Sequence, residues 1–259
     1  MTTTPLQLTI LTGGSRGMGL AMALQSLRPN GHLLCISRHI NTQLADEAQR
    51  LDATLTQWAQ DLADTTGAAQ RLEDWLNEQA AQGFASATLI NNAGVIPRIG
   101  PIDDCPPDDL ANALRVGLEA PMQLTAAFLR ATGAWVDTGW RGPRKVLNIS
   151  SGLGRRAMAA QAPYCAAKAG MDHFTRCSAL DEAQRPHGAR LVSLAPGVID
   201  TDMQSQLRSG DPAAFPDVGR FKDLKSQGQL STPQDAAASV LAWLDRPDFG
   251  SNPVADVRD

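Results

Sequence analysis

The sequence predicts an α/β fold: one doubly wound domain over residues 1–259, with a mostly parallel seven-stranded sheet and helices on both faces. Three observations carry this reading. Short apolar, β-capable runs alternate with helix-like segments along the whole chain, the pattern of βαβ units. A glycine-rich turn, Gly13-Gly14-Ser15-Arg16-Gly17-Met18-Gly19, follows the first run and opens the first helix. The residues suited to chemistry fall where strands end, which is where ligands bind in such sheets. The chain is 43% hydrophobic and 19% charged, enough apolar material for a substantial core.

Residues 6–11 are the first apolar run. The helix over 20–27 is amphipathic and stops near Pro29-Asn30-Gly31. The second strand, 32–36, ends in Ser37-Arg38. The third, 54–58, leads into Asp61 and Leu62 and a helix over 66–81. The fourth, 87–90, delivers Asn91-Asn92-Ala93-Gly94. Pro106 and Pro107 start a long helix over 108–131, since proline suits a helix's first turn. Residues 133–144 read as a loop whose Trp135 and Trp140 serve packing or a subunit surface. The fifth strand, 145–149, delivers Ser150-Ser151, and the helix over 163–183 carries Tyr164 and Lys168. The sixth strand, 191–194, ends in Ala195-Pro196-Gly197-Val198-Ile199-Asp200-Thr201. The polar segment 202–230, with apolar Met203, Leu207, Phe215 and Phe221, reads as a substrate lid. A last helix over 233–244 and a strand over 254–257 close the chain.

Composition narrows the function. A net charge of −4 argues against general nucleic-acid binding and against a basic membrane surface. No apolar run approaches the ~18 residues of a transmembrane helix, and Met1–Pro5 lacks the basic start of a secretory signal. Cys35, Cys105, Cys165 and Cys177 are scattered, with no C-x-x-C, which suits reduced thiols in a cytoplasm. The four histidines show no metal-ligand spacing, so no metal is expected.

The strand, glycine turn and helix at the start form a nucleotide-binding arrangement. Glycines let the backbone approach a diphosphate, and the helix N-terminus offers free N–H groups and a positive dipole end. A plain tight turn is the alternative. An acidic residue often closes the second strand to hold ribose hydroxyls. Here Ser37-Arg38 stands there, and a guanidinium neutralises a 2′-phosphate instead; Arg16 can reach the same phosphate. This reads as NADP(H) over NAD, or else Arg38 is a solvated strand-end charge. Asp61 either meets adenine or caps the next helix.

Tyr164, the only tyrosine, precedes Lys168 by four residues, so both lie on one helix face. A free phenol has a pKa of about 10. A neighbouring ammonium, with a cationic cofactor ring, lowers it and makes the phenol an acid–base group. A surface Tyr/Lys pair is the bland alternative, and the pair alone does not decide.

Taken together, Thr12-Gly13-x-x-x-Gly17-x-Gly19, Asn91-Asn92-Ala93-Gly94, Ser151, Tyr164-x-x-x-Lys168 and Pro196-Gly197 resemble the short-chain dehydrogenase/reductase signature in order and spacing. Ser151 lies thirteen residues before Tyr164, as is usual there. Glu119-Ala120-Pro121-Met122 and 194–204 resemble its sepiapterin reductase/benzil reductase group. The resemblance implies a Rossmann-type oxidoreductase that reduces a ketone, such as a vicinal dicarbonyl or a diketo-pterin-like compound. Tyr164 would be the general acid, Lys168 would lower its pKa and hold the nicotinamide ribose, and Ser151 would hold the carbonyl. Gly13, Ser15, Arg16, Gly17, Met18 and Gly19 would take the diphosphate side, and Arg16, Ser37 and Arg38 the 2′-phosphate. Asp61 and Leu62 would meet adenine, and Asn91, Ala93 and Gly94 the ribose. Pro196, Gly197, Val198, Ile199 and Thr201 would flank the nicotinamide, and Met203 and Leu207 the substrate. A homodimer or homotetramer through the helices over 108–131 and 163–183 is implied. The pattern departs at Gly117, where the family carries an asparagine that completes a proton relay. A non-catalytic NADP-binding sensor on the same fold is the competing reading, and Gly117 is what favours it.

Overall fold

The computed structural model describes residues 6–79 and 81–259. The reading of Met1–Pro5, and the end of the helix expected over 66–81 where it crosses Ala80, lie outside them. Seven strands form one sheet: β1 (Leu6–Thr12), β2 (Gly31–Ser37), β3 (Thr54–Ala59), β4 (Phe84–Asn91), β5 (Arg144–Ile149), β6 (Arg190–Ala195) and β7 (Val254–Asp256). Their order is β3-β2-β1-β4-β5-β6-β7, and every pairing is parallel.

The two-residue period of a strand splits the apolar residues between the faces. Leu8, Ile10, Leu34, Ile36, Leu89 and Val146 point into one core; Leu11, Leu33, Cys35, Ile90, Leu147 and Ile149 point into the other. Helices α1 (Gly17–Ser26), α2 (Thr42–Arg50) and α9 (Pro233–Leu244) cover the second face. Helices α3 (Thr65–Glu78), α4 (Pro107–Leu114) and α5 (Ala120–Asp137) lie on the first, and α6 (Ala162–Ala183) runs beside them. The strand order reverses direction between β1 and β4, so a crevice opens beyond their C-terminal ends.

Three local readings change. Helix α2 was not expected; Asn41 caps it by accepting from the Leu44 N–H at 3.1 Å, and Leu44 and Ala48, one turn apart, are buried. The expected 108–131 helix is α4, a wide π-turn over Arg115–Glu119, and α5. Its last part runs on to Asp137, into the expected 133–144 loop. Trp135 and Trp140 belong to the core. Trp135 stacks on Phe84 at 5.7 Å between ring centroids, and the Trp140 indole donates to the Phe84 carbonyl at 2.7 Å.

The segment 202–230, expected as a lid, holds two helices, α7 (Asp202–Arg208) and α8 (Val218–Ser226). Its apolar side is used within the fold. Leu207, Phe215, Val218 and Phe221 form a small core against Ile96, Ile99 and Met158.

At the far end of the sheet Arg144 is buried against Glu182 at 3.1 Å. Its guanidinium also donates to the His187 carbonyl, and Glu182 accepts from the Ala189 N–H at 2.8 Å. This pair joins the start of β5 to the end of α6. Removing one partner leaves a buried charge uncompensated. Glu182→Ala is therefore expected to cost about 3–5 kcal/mol of unfolding free energy, read from urea denaturation.

Candidate active site

The loop between β1 and α1 is shaped by backbone need. Gly13 and Gly17 sit at φ +71° and +56°, the left-handed region that suits glycine. A Cβ on Gly19 would stand 2.0 Å from the Gly13 carbonyl oxygen, so the loop folds directly onto the first turn of α1. Arg16 caps α1 without a side-chain hydrogen bond. The helix's first N–H groups are thus left for another acceptor.

Thr12 and Asn92, whose side chains were not expected to take part, hold the loop against β4. The Asn92 side-chain amide donates to the Thr12 carbonyl at 3.0 Å and to the Gly13 carbonyl at 3.3 Å. The Thr12 hydroxyl accepts from the Asn92 and Ala93 N–H groups at 2.9 and 3.0 Å. An asparagine where the strand order reverses was the available signal.

The crevice fits a dinucleotide by its own chemistry. Besides the uncapped α1 and the glycine cradle, Ser37 at the end of β2 is 7% exposed and its hydroxyl has no partner among the described residues. Arg38 beside it is exposed and forms no ion pair among the described residues. Arg16 is engaged otherwise than expected: it reaches across the crevice to Asp202 at the start of α7, at 3.1 Å, with both side chains exposed.

Several expected contacts shift. Asp61 is exposed, and capping of α3 falls to Asp64, which accepts from the Gly67 N–H at 3.1 Å. Leu62, Met18 and Ile199 have core side chains, leaving only their backbones for a ligand. Asn91 is 1% exposed, and its amide donates to Asn148 at 2.8 Å and Thr125 at 3.2 Å. This side chain braces β4 against β5 and α5, leaving only the Asn91 backbone for a ligand. Leu207 belongs to the lid core rather than to a substrate-facing surface; Met203 stays half-buried. Ser15 donates nothing from its side chain, but its carbonyl accepts from Asn41 at 3.1 Å. Pro196, Gly197, Val198 and Thr201 form the segment after β6, and Thr201 stands opposite Gly17, whose Cβ would lie 3.7 Å from the threonine methyl.

Ser151, Tyr164 and Lys168 come together. Ser151 follows β5 and accepts from the Leu153 N–H at 3.2 Å; its hydroxyl faces the Tyr164 phenol closely enough to act on its titration as a hydrogen-bond partner. Lys168 is 4% exposed, donates to the Ile149 carbonyl at 2.7 Å, and lies 5.8 Å from the Tyr164 ring centroid. Burial dominates both titrations. It pushes Tyr164 up to about 12, against the pull of the Ser151 hydrogen bond. It pushes Lys168 down to about 8, while Asp172 acts in the opposite direction. The protein groups by themselves therefore do not lower the phenol as expected. They keep it protonated at neutral pH, the form that donates a proton.

Gly117 lies inside the π-turn, and its Cβ would stand 3.1 Å from that of Ala167 on α6. Next to it, Leu118 fills the space beside Gly170, whose Cβ would stand 2.8 Å from a leucine methyl. A side chain at 117 would therefore require Ala167 and α6 to give way by a few tenths of an ångström.

With the fold and this cluster described, kinship follows. Residues 7–212 match the family of short chain dehydrogenases, and the chain belongs to the short-chain dehydrogenase/reductase family of oxidoreductases. It is 32% identical over 93% of its length to the benzil reductase ((S)-benzoin forming) of Bacillus cereus, of which it covers 94%. It is 31% identical over 97% of its length to the sepiapterin reductase of Xenopus tropicalis, covering 96% of that protein. A 3-oxoacyl-[acyl-carrier protein] reductase from Brucella melitensis, solved with NAD, superposes with a TM-score of 0.80 at 22% identity, covering 98% of this chain and 96% of that one. That likeness supports the fold. Among the described residues no helix is long and apolar enough to cross a membrane.

Two outcomes are expected. Lys168 falls from 10.5 to about 8, so its charge is lost as pH rises through about 8, and the pH–rate profile of reduction should fall there. The unfolded chain binds more protons between those two values, so stability rises with pH across that window as the cost of burying the charged ammonium is relieved; the loss of rate is not unfolding. Secondly, Gly117→Ala should lower kcat about tenfold by pushing α6 outward. Ala167→Gly in the same chain should restore it, both read by steady-state kinetics.

Proposed function

We propose that the chain is an NADPH-dependent carbonyl reductase acting on a ketone beside a second carbonyl or an aromatic ring, as in a vicinal dicarbonyl or a side-chain diketo pterin. One observation carries the reading: Tyr164 shares a helix face with buried Lys168, whose ammonium lies 5.8 Å from its ring, and both lie beside Ser151 at the end of β5 and the Gly94 backbone at the end of β4. The benzil and sepiapterin reductases among its relatives support the substrate class.

Bound NADPH would supply the hydride. The uncapped α1 and the Gly13–Gly19 loop would hold its diphosphate, with Ser37 and Arg38 at the 2′-phosphate and Arg16 joining them on leaving Asp202. Ala93, Gly94 and Lys168 would face the nicotinamide ribose. Pro196, Gly197, Val198 and Thr201 would lie along the nicotinamide. Ser151 would orient the substrate carbonyl through its hydroxyl, and Tyr164 would give its phenolic proton to the carbonyl oxygen as negative charge develops there. The raised affinity of Tyr164 for its proton keeps the acid loaded at neutral pH. Lys168 would stabilise the phenolate left behind and assist its reprotonation. The absence of an asparagine side chain at 117 leaves Ser151, Tyr164 and Lys168 intact. A cytoplasmic homodimer or homotetramer is the proposed setting.

The test is NADPH oxidation by the purified protein with an aromatic vicinal diketone. Turnover is expected with NADPH and at least tenfold less with NADH. Tyr164→Phe should reduce kcat by about 10²–10⁴, the range of general acid–base catalysis, with NADPH still bound. Tight NADPH binding without turnover across a broad carbonyl panel would favour the non-catalytic reading instead.

A further inference from the structure

Helix α6 carries a further side chain in the row of Tyr164 and Lys168, one buried as deeply as the lysine. Tyr164, Lys168 and Asp172 are successive at four-residue spacing, on one face of α6. Each grips a different residue of one short stretch at the end of β5. Tyr164 meets the Ser151 side chain, Lys168 meets the Ile149 carbonyl at 2.7 Å, and Asp172 accepts from the Ser150 hydroxyl at 2.6 Å.

Asp172 does more than bind Ser150. It is 2% exposed. The same carboxylate oxygen accepts from Ser193 on β6 at 2.6 Å, and the other accepts from Arg155 Nε at 3.1 Å. Arg155 in turn donates to the Ala255 carbonyl of β7 at 2.8 Å. It ends the turn that begins at Ser151. One carboxylate therefore holds the chain on both sides of Ser151, before it through Ser150 and after it through Arg155. The turn is pressed onto the helix, since a Cβ on Gly154 would stand 2.9 Å from the Lys168 carbonyl oxygen and 3.1 Å from an Asp172 carboxylate oxygen. A serine and a threonine-sized space would satisfy packing alone; an anion that collects three donors and anchors three strands sets a geometry.

We infer that Asp172 is a positioning residue of the active site, fixing Ser151 against Tyr164 through Ser150 and Arg155 and holding a negative charge one turn from Lys168. The inference rests on the proposed reduction for its kinetic arm. Asp172 is the charged group that acts on Lys168, raising it against the effect of burial. Asp172 is itself paired with Arg155, and Asp256 of β7 lies behind Arg155. Tyr164, one turn before Lys168, is the titratable neighbour on the other side, and Cys165 acts on Tyr164. The strands packed against this row present uncharged groups, the Ile149 carbonyl of β5 and the Ser193 hydroxyl of β6.

The test uses two variants with opposite electrostatic effects. Asp172→Asn keeps the size but removes the anion and the acceptor for Arg155. Arg155→Gln leaves the anion without its cation. For Asp172→Asn, kcat should fall roughly 10- to 100-fold while KM and NADPH affinity stay within about threefold. Its alkaline limb should move down by about one pH unit, and that of Arg155→Gln should move up. Because Tyr164 is the only tyrosine, a [¹³C]tyrosine NMR signal gives the same titration without turnover. The step it senses when Lys168 loses its proton should shift in those two directions. If the parent protein reduces no carbonyl, the proposed function fails, yet the NMR arm still decides the role of Asp172. Unmoved titrations in both variants, with only a lowered melting temperature, would overturn the inference and make Asp172 a purely structural staple.

Discussion

Helix α6 lies across the end of β5, and the candidate site depends on that contact. Ile149, Ser150 and Ser151 are consecutive, and each is tied to a side chain of α6. A strand end is free to fray, and a serine following it has several rotamers. Binding three neighbouring residues to one rigid helix removes that freedom before any ligand arrives, which is the structural form of preorganisation. The π-turn reinforces it from the other side. Gly117 and Gly170 let the two helical segments touch at close range, so the row cannot tilt without a clash.

Burial, rather than mutual attraction, sets the resting state of the pair. A phenol and an ammonium taken out of water both favour their neutral forms, which is why Tyr164 rises to about 12 and Lys168 falls to about 8. The protein groups alone therefore hold the phenol in its protonated form, and forming a phenolate there would take more positive charge than they bring.

The crevice is equally a product of topology. Parallel strands place their C-terminal ends together, and the change of direction between β1 and β4 parts the loops that follow them. Asn92 and Thr12 hold those loops at a fixed separation. Opposite them, the Arg16–Asp202 pair spans from the glycine loop to the lid. Exposed ion pairs of this kind are worth little, about 0–1 kcal/mol, so this link gives way readily to a stronger anion.

The parallel sheet, most of the order of its elements and the shared helix face of Tyr164 and Lys168 were legible from local chemistry: short apolar runs, a glycine turn, and a four-residue helical spacing. The family and the place of Ser151 beside that pair were legible only through the resemblance of the motifs taken together, because no local spacing brings a strand end to a helix. Helix α2 was overlooked because its nine residues are mostly polar and only Leu44 and Ala48 mark its buried face. The π-turn was invisible because Arg115–Glu119 keeps the apolar spacing of an ordinary helix, and nothing in that spacing marks a wider turn. Asn91 and Leu62 sit within the motifs yet point into the core, since one position along a strand or turn decides which way a side chain faces. The direction of the Tyr164 and Lys168 shifts also lay beyond the sequence. Spacing supplies the neighbour, but burial by β5, the π-turn and the Ser151 turn decides the sign, and only the tertiary structure brings those segments together.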